Sequence, residues 1–171
     1  MTAKSTTVYG GDLNDKGPLF AIDNIIGPKY SDAKTFMSTR NMKAPWIEIE
    51  LSEMVTISGV EVTPVRTSQR YFLSVHIRGG ASSLSAQQDE RKMSVDTSQT
   101  FFAKYLGPHV KTGETIFVSL NLPFAAKFVS FQSELTSMGK SLSINEVRFL
   151  QGTIPSSLYS LCCRGKFQAL S

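Results

Sequence analysis

Residues 141–149, Ser-Leu-Ser-Ile-Asn-Glu-Val-Arg-Phe, carry the pattern that decides the fold of this chain. Apolar Val147 and Phe149 flank the charged Arg148, and such period-two alternation is typical of a β-strand with one buried face. The same alternation appears in 46–51, where three aliphatic residues alternate with two glutamates. A chain built from short alternating runs of this kind is predicted to be all-β.

Further alternating runs lie at 55–63, 71–79, 115–120 and 127–131. Glycine and proline pairs separate these runs, and no long segment shows helical spacing. The pattern predicts an antiparallel jelly-roll β-sandwich of about eight main strands. Within 71–79, Leu73 is predicted to face the core, and Phe72 and His76 the opposite side. The full set of predicted inward residues is Ile47, Ile49, Val60, Val62, Leu73, Val75, Ile77, Val129, Phe131, Val147 and Phe149.

Length and composition fit one globular domain, since 171 residues with 41% apolar and 19% charged residues suffice for a single core. Residues 1–151 are predicted to form that domain. Residues 152–171 are predicted to be a C-terminal tail or linker, because Gly152, Pro155 and the neighbouring serines are typical of a segment that leaves a folded domain. The net charge of +4 allows an anionic partner without requiring one.

Several function classes find no support in the sequence. No Gly-x-Ser-x-Gly, His-Glu-x-x-His or phosphate-binding loop is present, so we expect a protein that is not an enzyme. The basic residues are scattered and lack an aromatic-interleaved motif, so no nucleic-acid partner is expected. Cys162 and Cys163 are adjacent and have no other cysteine to pair with, so no internal disulfide is expected. His76 is predicted to be an ordinary surface histidine.

Seven motifs follow one another along the chain: Ala21–Asn24, Pro45–Leu51, Gly59–Val62, Arg66–Arg70, Val75–Gly79, Lys127–Phe131 and Leu142–Phe149. Their order and spacing are more informative than any one of them alone. The chain resembles a discoidin domain, also called the coagulation-factor five/eight type C domain, of the galactose-binding-like superfamily. The resemblance runs from about Leu19 to Leu150 and implies a lectin-like recognition module at the cell surface or outside the cell, although this chain shows no signal peptide.

The resemblance implies a structural calcium ion between the opening Asp loop and the closing strand. Asp23 and Glu146 would supply side-chain oxygens, which suits an ion that takes about six to eight oxygen ligands. Backbone oxygens would come from Phe20, Ile25 and Asn145, with Ser31 or Thr35 as a further ligand. Two alternatives stay open: an Asx-type turn at Asp23, and a surface ion pair between Glu146 and Arg148 or a lysine.

The resemblance also implies that an arginine-bearing loop forms the rim of a ligand site. Arg66 and Arg70 are suited to bidentate hydrogen bonding, and Tyr71 beside them offers a stacking surface. Arg40 lies in the stretch that corresponds to a histidine of the sugar-binding branch. An aspartate of that branch is also replaced, by Ser68. We therefore expect no strong binding of free fucose.

Three functions remain open at this point. The first is recognition of a glycan or glycoprotein through loops at one end of the sandwich. The second is binding to an anionic lipid surface, for which Phe101–Tyr105 has a fitting apolar and basic composition, although burial of that segment is the alternative. The third is protein–protein adhesion or assembly.

Overall fold

The computed structural model describes residues 1–6, 8–24, 35–38, 44–65, 72–84, 95–107, 114–134 and 141–152. Between the first two strands of this part of the chain lie a short helix, α1 Leu13–Lys16, and two 3-10 turns, Tyr9–Gly11 and Pro18–Ala21. The side chain of Asp12 caps α1 by accepting from two backbone N–H groups. The strands are β1 Thr2–Ser5, β2 Phe36–Met37, β3 Trp46–Pro64, β4 Val75–Gly80, β5 Thr100–Tyr105, β6 Ile116–Ser133 and β7 Ser143–Gln151.

The seven described strands form one antiparallel sheet in the order β2-β7-β3-β6-β4-β5, with β1 added on β3. The first half of β3 pairs with β1 and the end of β6, whereas its second half pairs with β7 and the start of β6. Register shifts between Glu50 and Val55 mark the place where β3 passes from one layer to the other. The predicted all-β jelly-roll sandwich is confirmed.

The sequence predicts separate strands at 46–51 and 55–63, and again at 115–120 and 127–131. In the structure each pair is one long strand, β3 or β6, because the bulges bend the backbone without ending the ladder. The described part of the chain therefore has seven strands where about eight were expected.

Side chains from both layers of the sandwich meet in a single core. Of the predicted inward residues, all but Leu73 and Phe149 are buried, and Phe149 packs against the core from its edge. Leu73 was assigned to the wrong face: it is only partly buried, whereas Phe72 is fully buried. The reason is that β4 begins at Val75, and Ser74 has a φ of 50°, which breaks the alternation just before the strand.

Two further residues differ from simple expectations. The side chain of His76 is only 14% exposed and lies against Glu134, so it is not an ordinary surface histidine. Glu48, on the face of β3 away from the core, is 1% exposed. The described residues around Ser83 and Gln99 cover that face.

The boundary predicted near residue 151 stays a prediction. β7 ends at Gln151, and the N–H of Gly152 still bonds to the carbonyl of Thr56 at 3.1 Å. Cys162 and Cys163 lie outside the described residues. Among the helices of the described residues, none has the length and apolar character to cross a membrane.

Candidate functional site

Of the residues predicted to bind calcium, Asp23 and Glu146 lie where the opening loop meets β7. The 3-10 turn Pro18–Ala21 leads into Asp23 and Asn24, and Asn24 has a φ of 61°, a left-handed conformation that asparagine tolerates. This turn directs the backbone N–H of Asn24 to Glu146 Oε2 at 3.0 Å. The guanidinium of Arg148 donates to Asn24 Oδ1 at 2.9 Å. The loop is therefore held against the strand at the place where the resemblance predicts the site.

Glu146, which faces this loop from β7, has a raised pKa. Burial of its carboxyl, and secondarily the nearby Asp23 carboxylate, raise the pKa of Glu146 to about 7. The N–H of Asn24 and the charge of Arg148 act in the opposite direction and lower the pKa only in part. Two carboxylates that repel each other in a partly dry site are an arrangement that a cation stabilises.

The residues of this site suit a hard cation that accepts oxygen ligands. Besides the two carboxylates, the buried Asn145 and the turn at Phe20 are within the described residues, whereas Ile25 and Ser31 are not. The hydroxyl of Thr35 donates to the carbonyl of Ile144 at 2.8 Å, so it serves to close β2 onto β7. No group of three His, Cys, Asp or Glu side chains is present in the described part of the chain, so backbone oxygens would have to complete a calcium shell.

The structure bears on one alternative to a calcium site, a surface ion pair between Glu146 and Arg148. The Glu146 carboxylate accepts from the backbone N–H of Asn24 in the opening loop, and Arg148 donates to the side chain of Asn24. A simple surface ion pair between Glu146 and Arg148 therefore does not describe the buried carboxylate, which is 4% exposed.

The predicted ligand-binding residues Arg40, Arg66, Arg70 and Tyr71 lie outside the described residues, but the segments flanking them are informative. Ser38 donates its N–H to the carbonyl of Leu142, and Pro64 pairs with Ile144. These flanks belong to the layer that contains β7.

The other flanks meet in the opposite layer. Ser133 donates its N–H to the carbonyl of Pro45, and Glu134 donates to the carbonyl of Ser74. The connections 39–43, 66–71 and 135–140 each join one of these two groups of flanks to the other. All three connections therefore start and finish at the same end of the sandwich, which we call the rim end.

A charged cluster lies beside the rim end. Glu134 contacts His76, Lys104 and Ser74, and its pKa is lowered chiefly by the hydrogen bond from Lys104, with Ser74 and His76 adding to the effect. Phe101, whose ring is 5.4 Å from the His76 ring, is 48% exposed. The sequence did not predict this cluster, because its members are brought together only by the pairing of β4 with β5 and β6.

A second polar cluster covers the outer face of β3 and β6. The Glu48 carboxylate accepts from Leu84 N at 2.6 Å, from Gln99 Nε2 at 2.8 Å and from Ser83 Oγ at 2.7 Å. Gln99 Oε1 in turn accepts from the hydroxyl of Ser130 at 2.7 Å. This network holds the described residues 81–84 and 95–99 against the sheet, and nothing in the local sequence pattern indicates it.

With this geometry established, the chain can be compared with known proteins. No family model and no curated protein sequence matches it. Solved structures do. Over 88% of its length the chain is similar to a fucolectin from the serum of striped bass, Morone saxatilis, with 17% identity and a TM-score of 0.68. It spans 46% of that fucolectin chain, or about half of it.

Two single-domain structures match over nearly their whole length. One is the F5/8 type C domain of a Bacteroides fragilis protein, with 17% identity, a TM-score of 0.66, and coverage of 90% of this chain and 92% of the other. The second is the family 32 CBM from C. perfringens NanJ, solved in complex with galactose, with 17% identity, a TM-score of 0.60, and coverage of 86% and 91%. The fold is thus that of the galactose-binding-like sandwiches. Within that class it is the discoidin fold, as the sequence predicted.

Proposed function

We propose that this chain is a non-catalytic recognition module that binds a glycan or glycoprotein at the rim end. What supports the proposal most is that three connections, which include Arg40, Arg66, Arg70 and Tyr71, start and finish at one end of a discoidin fold. Guanidinium groups and an aromatic ring are suited to a polyhydroxylated ligand, because they supply paired donors and a stacking surface. Similar structures include modules solved with galactose and with GalNAc-β-1,3-galactose.

A glycan array tests the proposal. The unmodified protein should bind a defined set of glycans, and the binding should persist at high salt because hydrogen bonding rather than charge attraction carries it. Arg66→Ala and Arg70→Ala should each weaken that binding. The matched control is Arg78→Ala, which removes an arginine that bonds to the carbonyl of Gln99 outside the rim end. Equal loss in the control, or no glycan bound at all, would contradict the proposal.

We further propose that calcium binds between Asp23 and Glu146 and holds the opening loop in place. The support is the raised pKa of Glu146, which reflects burial beside a second carboxylate. Adding calcium to chelator-treated protein should raise the melting temperature, because an ion that binds only the folded state stabilises it. Glu146→Gln should abolish that rise, whereas Glu61→Gln, a partly buried glutamate of β3, should leave it intact. If calcium does not change the melting temperature of the unmodified protein, this proposal is wrong.

Binding to an anionic lipid surface is the second candidate. The observation that favours it is the exposure of Phe101 (48%) and Leu122 (64%), whereas the neighbouring Phe102 is stacked against Phe124. These two apolar side chains line one surface depression and would insert into the lipid, while the net charge of +4 would attract acidic head groups. Liposome sedimentation decides between the candidates: binding that needs acidic lipid, falls with salt and is lost in Phe101→Ala would favour the membrane.

A further inference from the structure

A pocket of about 260 Å³ opens on the outer face of the sheet, where β1 lies against β3. It is separate from the rim end, because its floor is the pairing of Thr2 with Glu50 and of Glu50 with Phe128, next to the bend of β3. The rim-end flanks lie at the opposite end of this half of the strand. The lining residues are Thr2, Ala3, Lys4, Glu48, Glu50, Ser83 and Phe128.

The charges of this pocket are balanced. Lys4 Nζ lies 3.1 Å from Glu48 Oε1, and Lys127 Nζ lies 3.3 Å from Glu50 Oε1. Two carboxylates are thus neutralised by two ammonium groups, so neither an anion nor a cation finds an uncompensated partner. A ligand that suits this pocket is itself neutral, and its polar groups must be able both to donate and to accept.

The hydrogen-bonding groups of the pocket are held in place before any ligand arrives. Glu48 is 1% exposed and is bonded to the backbone of Leu84 and to the Gln99 amide, so it cannot turn away. It fixes the hydroxyl of Ser83, which also accepts a hydrogen bond from Lys4. The Lys4 side chain is 51% exposed, so its ammonium group faces both the network and the solvent. Preorganised donors and acceptors lower the entropy lost on binding.

An aromatic ring forms one wall. Phe128 pairs with Glu50 on one side and with Gly80 on the other, and it is partly exposed. Lys127 Nζ lies 5.7 Å from the ring centroid. The C–H face of a pyranose ring is apolar while its edge carries hydroxyls, so an aromatic wall beside fixed polar groups fits that kind of ligand.

From these observations we propose that this pocket is a second binding site, specific for a neutral pyranose sugar. The sugar stacks on Phe128, and its hydroxyls bond to Lys4, Ser83 and the accessible oxygens of Glu50. The proposal goes beyond the glycan site at the rim end and does not depend on it, because the two sites share no residue. A chain with both would contact two sugar units of one glycan or of neighbouring glycans.

NMR titration of ¹⁵N-labelled protein tests this directly. Methyl β-galactoside, N-acetylglucosamine and glucose are each added over the millimolar range. With at least one of these sugars, we expect the amide signals of Ala3, Lys4, Ser83 and Phe128 to shift. Phe128→Ala should weaken this binding by about tenfold, the loss expected for a stacking contact. Phe117→Ala is the matched control, since Phe117 is an exposed phenylalanine of β6 outside the pocket.

Three results would overturn the inference: no shift at these amides with any of the three sugars, an unchanged affinity in Phe128→Ala, or tighter binding of glucuronate than of glucose. Ser83→Ala provides a second variant if Phe128→Ala does not fold, and it should also weaken binding. The rim end is judged separately with Arg66→Ala. Loss of rim binding with pocket shifts retained supports two sites. Shifts confined to residues flanking the rim connections leave the proposed function standing and reject this pocket.

Discussion

The clearest energetic prediction concerns Glu48, a buried carboxylate that the alternation of β3 places on the outer face. Replacing it with alanine removes the acceptor for Leu84 N, Gln99 Nε2 and Ser83 Oγ at once. Leu84 and Gln99 are 2% and 4% exposed, so water does not readily replace the lost acceptor. Each buried donor left unpaired costs about 1–3 kcal/mol.

Allowing for partial relaxation, Glu48→Ala should lower the free energy of unfolding by about 3–5 kcal/mol. Glu48→Gln keeps the shape of the side chain but turns an amide group towards at least one donor, so we expect a loss of about 2 kcal/mol. Glu50→Ala is the matched control on the same face of the same strand. Its carboxylate is 42% exposed and pairs with Lys127, so its loss should cost less than about 1 kcal/mol.

The measurement is urea unfolding followed by circular dichroism, with the slope of the transition compared between variants. Hydrogen exchange at the Leu84 amide reports on the segment itself, and this amide should lose its protection in Glu48→Ala. A cost for Glu48→Ala no larger than that for Glu50→Ala, with Leu84 still protected, would refute the reasoning. It would mean that the network does not hold residues 81–84 against the sheet.

Three more predictions follow from the fold and the site. Phe131→Ala, in the centre of the core, should lower the free energy of unfolding by about 3–5 kcal/mol in chemical denaturation, because it leaves a cavity. The pKa of Glu146 is raised from 4.5 to about 7, so the metal-free folded state keeps a proton that the unfolded chain loses. Stability should therefore fall as the pH rises from about 4.5 to 7 and then level off, and a Glu146→Gln variant that shows the same fall would contradict this assignment. Free fucose should not bind tightly, since Ser68 replaces the aspartate of the sugar-binding branch; calorimetry that yields a dissociation constant on the order of micromolar would show that the loop was misinterpreted.

The sequence predicted the buried faces of the strands well, because alternation depends only on neighbouring residues. It failed where a local backbone conformation or a distant segment intervened. Because Ser74 has a left-handed backbone conformation, Phe72 is buried in the core and Leu73 is not, the reverse of the predicted arrangement. Burial of Glu48 depends on Gln99, 51 positions away, and no local pattern encodes such a contact.

The candidate site was only partly predictable for the same reason. That Asp23 lies near Glu146 came from the resemblance and not from spacing, and the structure brings the two carboxylates close enough for one to shift the pKa of the other. The resemblance also supplied the arginines of the rim end, which stay a prediction. The cluster of His76, Lys104 and Glu134 was missed, because it arises from three strands whose pairing cannot be deduced from their separate alternation patterns.

The passage of β3 through both layers has a consequence for how the chain is made. When a ribosome has completed Trp46–Pro64, the later partners of this strand, β6 and β7, do not yet exist. Among the described strands, the earlier one that pairs with it is the four-residue β1. The apolar face of β3 therefore stays uncovered in the nascent polypeptide until Ile116–Ser133 has emerged from the ribosome. Neither layer is complete before then, so both should form in one late, slow step that is limited by these distant pairings. A chaperone that shields β3 during translation should raise the yield of folded protein more than one added after the chain is complete.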